Sequence, residues 1–122
     1  MQHDAKSIRP FVGSKDFEIS RRFYTDLGFE EITISTNMSL FRSGDFGFYL
    51  QDAYVKDWID NTMVFMEVAD VNKFFADLTA LNLPDRFESA RVLPVREEQW
   101  GRECFVIDPS GVLWHFGEFF TT

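Results

Sequence analysis

Cysteine and positive charge are scarce in this 122-residue chain, and long hydrophobic runs are missing altogether. Cys104 is the only cysteine, so no intrachain disulfide can form and no cysteine-based metal cluster is available. That usage suits a reducing compartment, and the expected location is the cytoplasm. Lys and Arg total 12 against 20 Asp and Glu, a net charge of −8. Such a field disfavours nucleic acid and anionic membrane partners and favours cationic ligands. No apolar run approaches the roughly 20 residues that a membrane-spanning helix needs. The first residues, Met1-Gln2-His3-Asp4-Ala5-Lys6, are polar and hold no signal-type apolar stretch. Three nucleotide and nucleophile signatures are also absent: G-x-S-x-G, the P-loop and G-x-G-x-x-G.

Apolar surface is plentiful. Hydrophobic residues make up 45% of the chain and aromatics 17%, which fits a packed domain spanning residues 1–122. Fifteen Phe exceed what one small core requires, leaving rings for a pocket or an interface. The order of elements is readable from periodicity. Ser7 to Val12 reads as a strand carrying Pro10, so it lies at an edge or bends there. Phe17, Ser20, Phe23, Tyr24 and Leu27 recur at helical spacing, with Ser14 or Asp16 as cap and Gly28 at the end. Strands follow over Phe29 to Thr36, Met38 to Arg42 and Phe46 to Gln51. After a connector at 52–60 the pattern restarts. Thr62 to Val68 reads as a strand, and Asp70 caps a helix with Val71, Phe74, Phe75 and Leu78 on one stripe. Three more strand-like runs close the chain. Phe23-Tyr24-Thr25-Asp26-Leu27 recurs as Phe74-Phe75-Ala76-Asp77-Leu78, a weak internal repeat. The predicted fold is α+β: tandem βαβββ modules at 7–51 and 61–118, a curved mixed sheet around a groove, helices on the outer face.

The last two strands flank Asp108-Pro109-Ser110-Gly111, which has the residue preferences of a type I turn. If pairing closes symmetrically on that turn, Cys104 faces His115 and Phe105 faces Trp114. One face then holds Phe105, Ile107, Val112, Trp114 and Phe116 for burial. The other holds Cys104, Val106, Leu113 and His115, with Trp100 and Arg102 beyond, and is the expected functional face.

The two motifs, Phe23-Tyr24-Thr25-Asp26-Leu27-Gly28-Phe29 early and Asp108-Pro109-Ser110-Gly111 late, resemble those of the glyoxalase/bleomycin-resistance/dioxygenase (vicinal oxygen chelate) superfamily. The resemblance runs from about Ile8 to Phe116. Within it, Asn61-Thr62, Trp100-Gly101-Arg102-Glu103 and the ending His115-Phe116 look most like the bleomycin-binding resistance proteins. The resemblance implies a homodimer with grooves at its interface, an N-terminal strand exchanged near Pro10, and antibiotic sequestration without catalysis. It places the Trp100 indole in the groove and Phe65 where those proteins carry a second tryptophan.

The superfamily's enzymes hold a divalent metal with His and Glu from four strands. Matched motif by motif, those positions fall near Arg9, Tyr49 (or Gln51), Met63 and His115, and only His115 is an ordinary ligand. No resident metal or other cofactor is therefore expected. The candidate ligand-binding residues are Trp100, Arg102, Phe65, Tyr49, His115 and Trp58, with no catalytic residue assigned. Glu97, Glu98, Asp45 and Asp52 are further candidates for attracting a cation. The expected function is binding and sequestration of a planar, cationic, bleomycin-type molecule. The alternative is an enzyme of the same superfamily acting on a small-molecule substrate.

Overall fold

The structure, a computed structural model, describes residues 1–121. Its elements run β1 (Phe11–Gly13), α1 (Phe17–Asp26), β2 (Glu30–Ser35), β3 (Met38–Ser43) and β4 (Phe46–Gln51). They continue with α2 (Lys56–Asp60), β5 (Met63–Glu67), α3 (Val71–Ala80), α4 (Leu83–Arg86), β6 (Arg91–Glu97), β7 (Gly101–Ile107) and β8 (Leu113–Phe119). Two four-stranded mixed sheets result, ordered β1-β4-β3-β2 and β5-β8-β7-β6. In each, the first strand pairs in parallel with the last and the others pair antiparallel. This is the tandem βαβββ arrangement that the periodicity predicts.

Local chemistry explains the boundaries. Asp16 and Asp70 cap α1 and α3, their carboxylates accepting from the amides of Ile19 and Lys73 at 3.1 and 3.0 Å. Gly28 ends α1 with φ +109, a conformation costly for any residue with a Cβ. Pro10 precedes β1, an edge strand, and uses only its carbonyl, which accepts from the Tyr49 amide at 2.9 Å. Pro94 sits in the edge strand β6, where the register with β7 shifts between Leu93 and Arg96. The strand runs on to Glu97.

Both sheets turn their helix-covered faces into one shared core. Phe23, Tyr24, Phe41 and Phe48 from the first module pack with Cys104, Val106, Trp114 and Phe116 from the second. At its centre the Tyr24 hydroxyl donates to Asp108 Oδ2 at 2.5 Å and accepts from Trp114 Nε1 at 2.9 Å. The early and late sequence motifs thus meet through this buried network. Burial pushes the carboxyl of Asp108 above its usual range and the phenol of Tyr24 well above its own, the latter reinforced by the neighbouring carboxylate.

The β7–β8 hairpin differs from the symmetric pairing. Gly111 donates to the Asp108 carbonyl at 3.1 Å, closing the type I turn, and then takes φ +112 as an extra residue. The ladder resumes with the Asp108 amide bonded to the Val112 carbonyl, so Ile107 faces Leu113 and Cys104 faces Phe116. A type I turn followed by a positive-φ glycine is a three-residue hairpin loop, which moves the register by one. Every β7 side chain is therefore on the face opposite to the one expected. Cys104 and Val106 lie in the core, while Glu103, Phe105 and Ile107 join His115.

Candidate functional site

Each sheet has a second face, turned away from the helices. In the second sheet one row crosses all four strands: Phe65, His115, Phe105, Leu93. The corresponding row in the first sheet is Phe11, Tyr49, Leu40, Ile32. His115 and Tyr49 thus hold equivalent places.

Around His115 the surface is aromatic and partly open to solvent. Phe65, Trp100 and Phe119 form a triangle with ring centroids 5.0 to 5.8 Å apart. Their exposures are 45%, 36% and 49%, large for rings that contact one another. Gly117 makes the triangle possible. A Cβ there would lie 2.4 Å from the Phe65 ring and 3.2 Å from the Trp100 ring. Phe105 meets the His115 imidazole edge-on at 5.0 Å, and Phe65 stacks over it at 6.4 Å.

Below these rings lies a buried carboxylate. His115 Nδ1 is 2.7 Å from Oε1 of Glu103, a residue only 7% exposed. A carboxylate only accepts, so Nδ1 donates, and in the neutral ring Nε2 carries the lone pair. The shifted register creates this pair, because Glu103 and His115 share a face only in the observed pairing. It also removes the expected Cys104–His115 pair. Burial pushes the Cys104 thiol up to about 11, which keeps it protonated at neutral pH.

Of the six residues singled out in the sequence, Trp100, Phe65 and His115 come together. Tyr49 lies on the helix-free face of the other sheet, where its hydroxyl accepts from Arg9 Nη1 at 3.0 Å and its ring stacks on Phe11 at 5.3 Å. Arg102 falls on the helix side, opposite to His115. Its guanidinium donates to Glu97 at 3.2 Å, approaches Glu118 at 3.8 Å and lies over the Phe120 ring. The register shift explains that placement too. Trp58 projects from α2 with 72% of its surface exposed and stacks on none of the three clustered rings. Sequence reasoning missed Phe119 and the pairing of Glu103 with His115. The signal for the latter was Gly111, whose place after a type I turn marks the three-residue loop.

The donor set does not fit a protein-held divalent metal. Arg9, Tyr49 and Met63 offer a cation, a phenol and a thioether beside the single imidazole of His115. Among the described residues, no three His, Cys, Asp or Glu side chains converge in the manner of a metal site. An apolar cleft of about 400 Å³ is lined by Pro10, Phe46, Phe48, Val64, Phe65 and Trp114. No helix among the described residues is long and apolar enough to cross a membrane.

No protein-family model matches the chain, and no curated protein matches it. Solved structures do. The bleomycin-binding protein of Streptomyces verticillus, in complex with copper(II)-bleomycin, is 25% identical with a TM-score of 0.79, covering 94% of this chain and 97% of that one. A bleomycin resistance determinant encoded on the transposon Tn5 is 16% identical with a TM-score of 0.79, covering 96% and 100%. Lactoylglutathione lyase from Agrobacterium tumefaciens is 18% identical with a TM-score of 0.67, covering 95% and 96%. The fold is the paired-βαβββ fold of the vicinal oxygen chelate superfamily. Its structural neighbours include both bleomycin-binding and glyoxalase-family proteins.

Proposed function

We propose that this protein binds and sequesters a planar, cationic small molecule of the bleomycin type. The observation that carries the reading is the open triangle of Phe65, Trp100 and Phe119 beside His115, on a chain of net charge −8. Partly exposed aromatic faces stack planar rings, and their π-clouds attract cations. The acidic surface raises the local concentration of such a ligand. The metal-binding chemistry of the superfamily's enzymes has no donor set here, whereas a binding role needs none. Tyr49 and Phe11 on the first sheet, together with the exposed Met63, suit a homodimer that closes the helix-free faces around the ligand. Arg102 and Trp58 are left out of this site. The cytoplasm is the proposed location, in keeping with a chain whose single cysteine is free.

A tryptophan-fluorescence titration with bleomycin tests the reading. Saturable quenching in the wild type, weakened about 5- to 150-fold in Trp100→Ala, is expected for loss of a stacking contact of about 1–3 kcal/mol. Absence of quenching and of any heat of binding in the wild type would overturn it. Sedimentation of the free protein as a monomer at micromolar concentration would remove the dimeric part.

One observation favours a second reading, an enzyme of the same superfamily. The Glu103–His115 pair has the geometry of an oriented general base. Turnover of a small-molecule substrate, abolished in His115→Ala, would establish it.

A further inference from the structure

We propose that His115 supplies one coordination position to a transition metal that arrives already chelated by the ligand, with Glu103 as its positioning residue. The inference rests on the sequestration reading for the identity of the ligand, and on the geometry below for the chemistry.

Nδ1 of His115 is committed to the buried Glu103 carboxylate at 2.7 Å. The ring is further held by Phe105 edge-on at 5.0 Å and by Phe65 stacked at 6.4 Å. Nε2 has no hydrogen-bond partner among the described residues, where the only bond of this ring is the one to Glu103. Among the described residues no buried side-chain nitrogen or oxygen lacks a partner, so the unpartnered Nε2 is not sealed in the core, and the ring lies on the helix-free face. A fixed imidazole with its lone pair outward and its other nitrogen on a carboxylate is a prepared metal ligand. The carboxylate sets the tautomer of the neutral ring and fixes its orientation.

Among the described residues no three His, Cys, Asp or Glu side chains converge there, so the imidazole lacks the donor set that captures a free metal ion. A chelate needs only one donor. A copper(II), zinc(II) or iron(II) ion held by nitrogen donors of a small molecule, with a position free, accepts one imidazole. The hard ions magnesium and calcium prefer oxygen and are not expected. The aromatic triangle adjoins the imidazole through Phe65, so planar rings of the same ligand can stack while the metal is held. Net negative charge adds attraction for a cationic complex. His3, the other histidine of the chain, lies exposed in the polar N-terminal segment, and the ring has no carboxylate bond of this kind.

The test uses the full chain carrying His3→Ala, so that His115 is the only imidazole. The first probe is copper(II)–diethylenetriamine, a cationic complex with three nitrogen donors and an open position. One equivalent is expected to bind, with an additional nitrogen in the copper electron paramagnetic resonance spectrum. His115→Phe, which suits an aromatic strand row, should lose the signal, and Glu103→Ala should weaken binding at least tenfold. The second probe is bleomycin, metal-free and copper-loaded. The copper form is expected to bind about tenfold tighter, and His115→Phe to erase that difference between the two forms. Equal affinity for the two forms with an unchanged copper spectrum would overturn the coordination while leaving sequestration standing. Binding of the small copper complex through His115 without affinity for either bleomycin form would uphold the site and overturn the bleomycin-type ligand.

Discussion

The two sheets have the same strand order and pairing, yet their helix-free faces carry different chemistry. The first places Phe11, Tyr49, Leu40 and Ile32 in its central row, with Arg9 donating to the Tyr49 hydroxyl. The second places Phe65, His115, Phe105 and Leu93 in the equivalent row, with a buried carboxylate behind the imidazole. An ionisable, oriented donor is thus confined to one module, beside the open aromatic triangle. The helix-covered faces show the opposite relation, since they merge into one core through Tyr24, Asp108 and Trp114. The repeat supplies the scaffold twice and a carboxylate-held imidazole once.

The largest way to break this arrangement is at the seam. Asp108 Oδ1 accepts from the amides of Ser110, Gly111 and Val112, each at 2.9 Å, while Oδ2 takes the Tyr24 hydroxyl. Asp108→Ala strands the buried Val112 amide and Tyr24 hydroxyl, removes two further part-buried bonds, and is expected to cost about 3–5 kcal/mol. In thermal unfolding that corresponds to a fall of about 10–20 °C for a domain of this size. A loss under about 1 kcal/mol would show that the two modules are held together by packing alone.

Gly117→Ala separates the site from the scaffold. The new methyl would displace the Phe65 and Trp100 rings, which are side-chain atoms able to swing outward, so stability should change by only about 1 kcal/mol. Ligand affinity should nonetheless drop roughly tenfold, because the stacking surface loses its geometry. Unchanged quenching by ligand would remove the triangle from the site.

Acid sharpens the comparison from the first module. Arg21 and Ser39 donate to Glu31 at 2.6 and 2.7 Å. Burial opposes ionisation of Glu31, but these hydrogen bonds and the Arg21 charge outweigh it and hold the carboxyl below its usual range. A depressed carboxyl contributes stability above its unfolded pKa, and that contribution is lost as pH falls through the folded value. Glu31→Gln should therefore lower stability near neutral pH by about 1 kcal/mol or less, given the partial exposure of the pair. The difference should vanish in acid, as followed by denaturant titration at several pH values.

The smallest effect is expected at Tyr49. Its hydroxyl meets only Arg9, so Tyr49→Phe should change stability by less than about 0.5 kcal/mol and leave the second-sheet site unaltered. A loss of ligand affinity as large as that in Trp100→Ala would instead make the first sheet an equal part of the site.

The sequence by itself determined the order of the strands and the two long helices, their caps and the duplicated βαβββ pattern. These follow from periodicity, Asp16 and Asp70 before helical stripes, and glycine at a helix end, all of which are local signals. It left the faces of β7 open. Side chains alternate every residue along a strand, so one extra residue in the loop at Gly111 reverses them all. Tertiary structure decided that Glu103, rather than Cys104, lies beside His115, and that Arg102 points toward the helices. It also brought Phe119 to Trp100 across the β7–β8 ladder and joined Tyr24 to Asp108 in the core. Those pairings depend on register and on packing between distant segments, which no local pattern encodes.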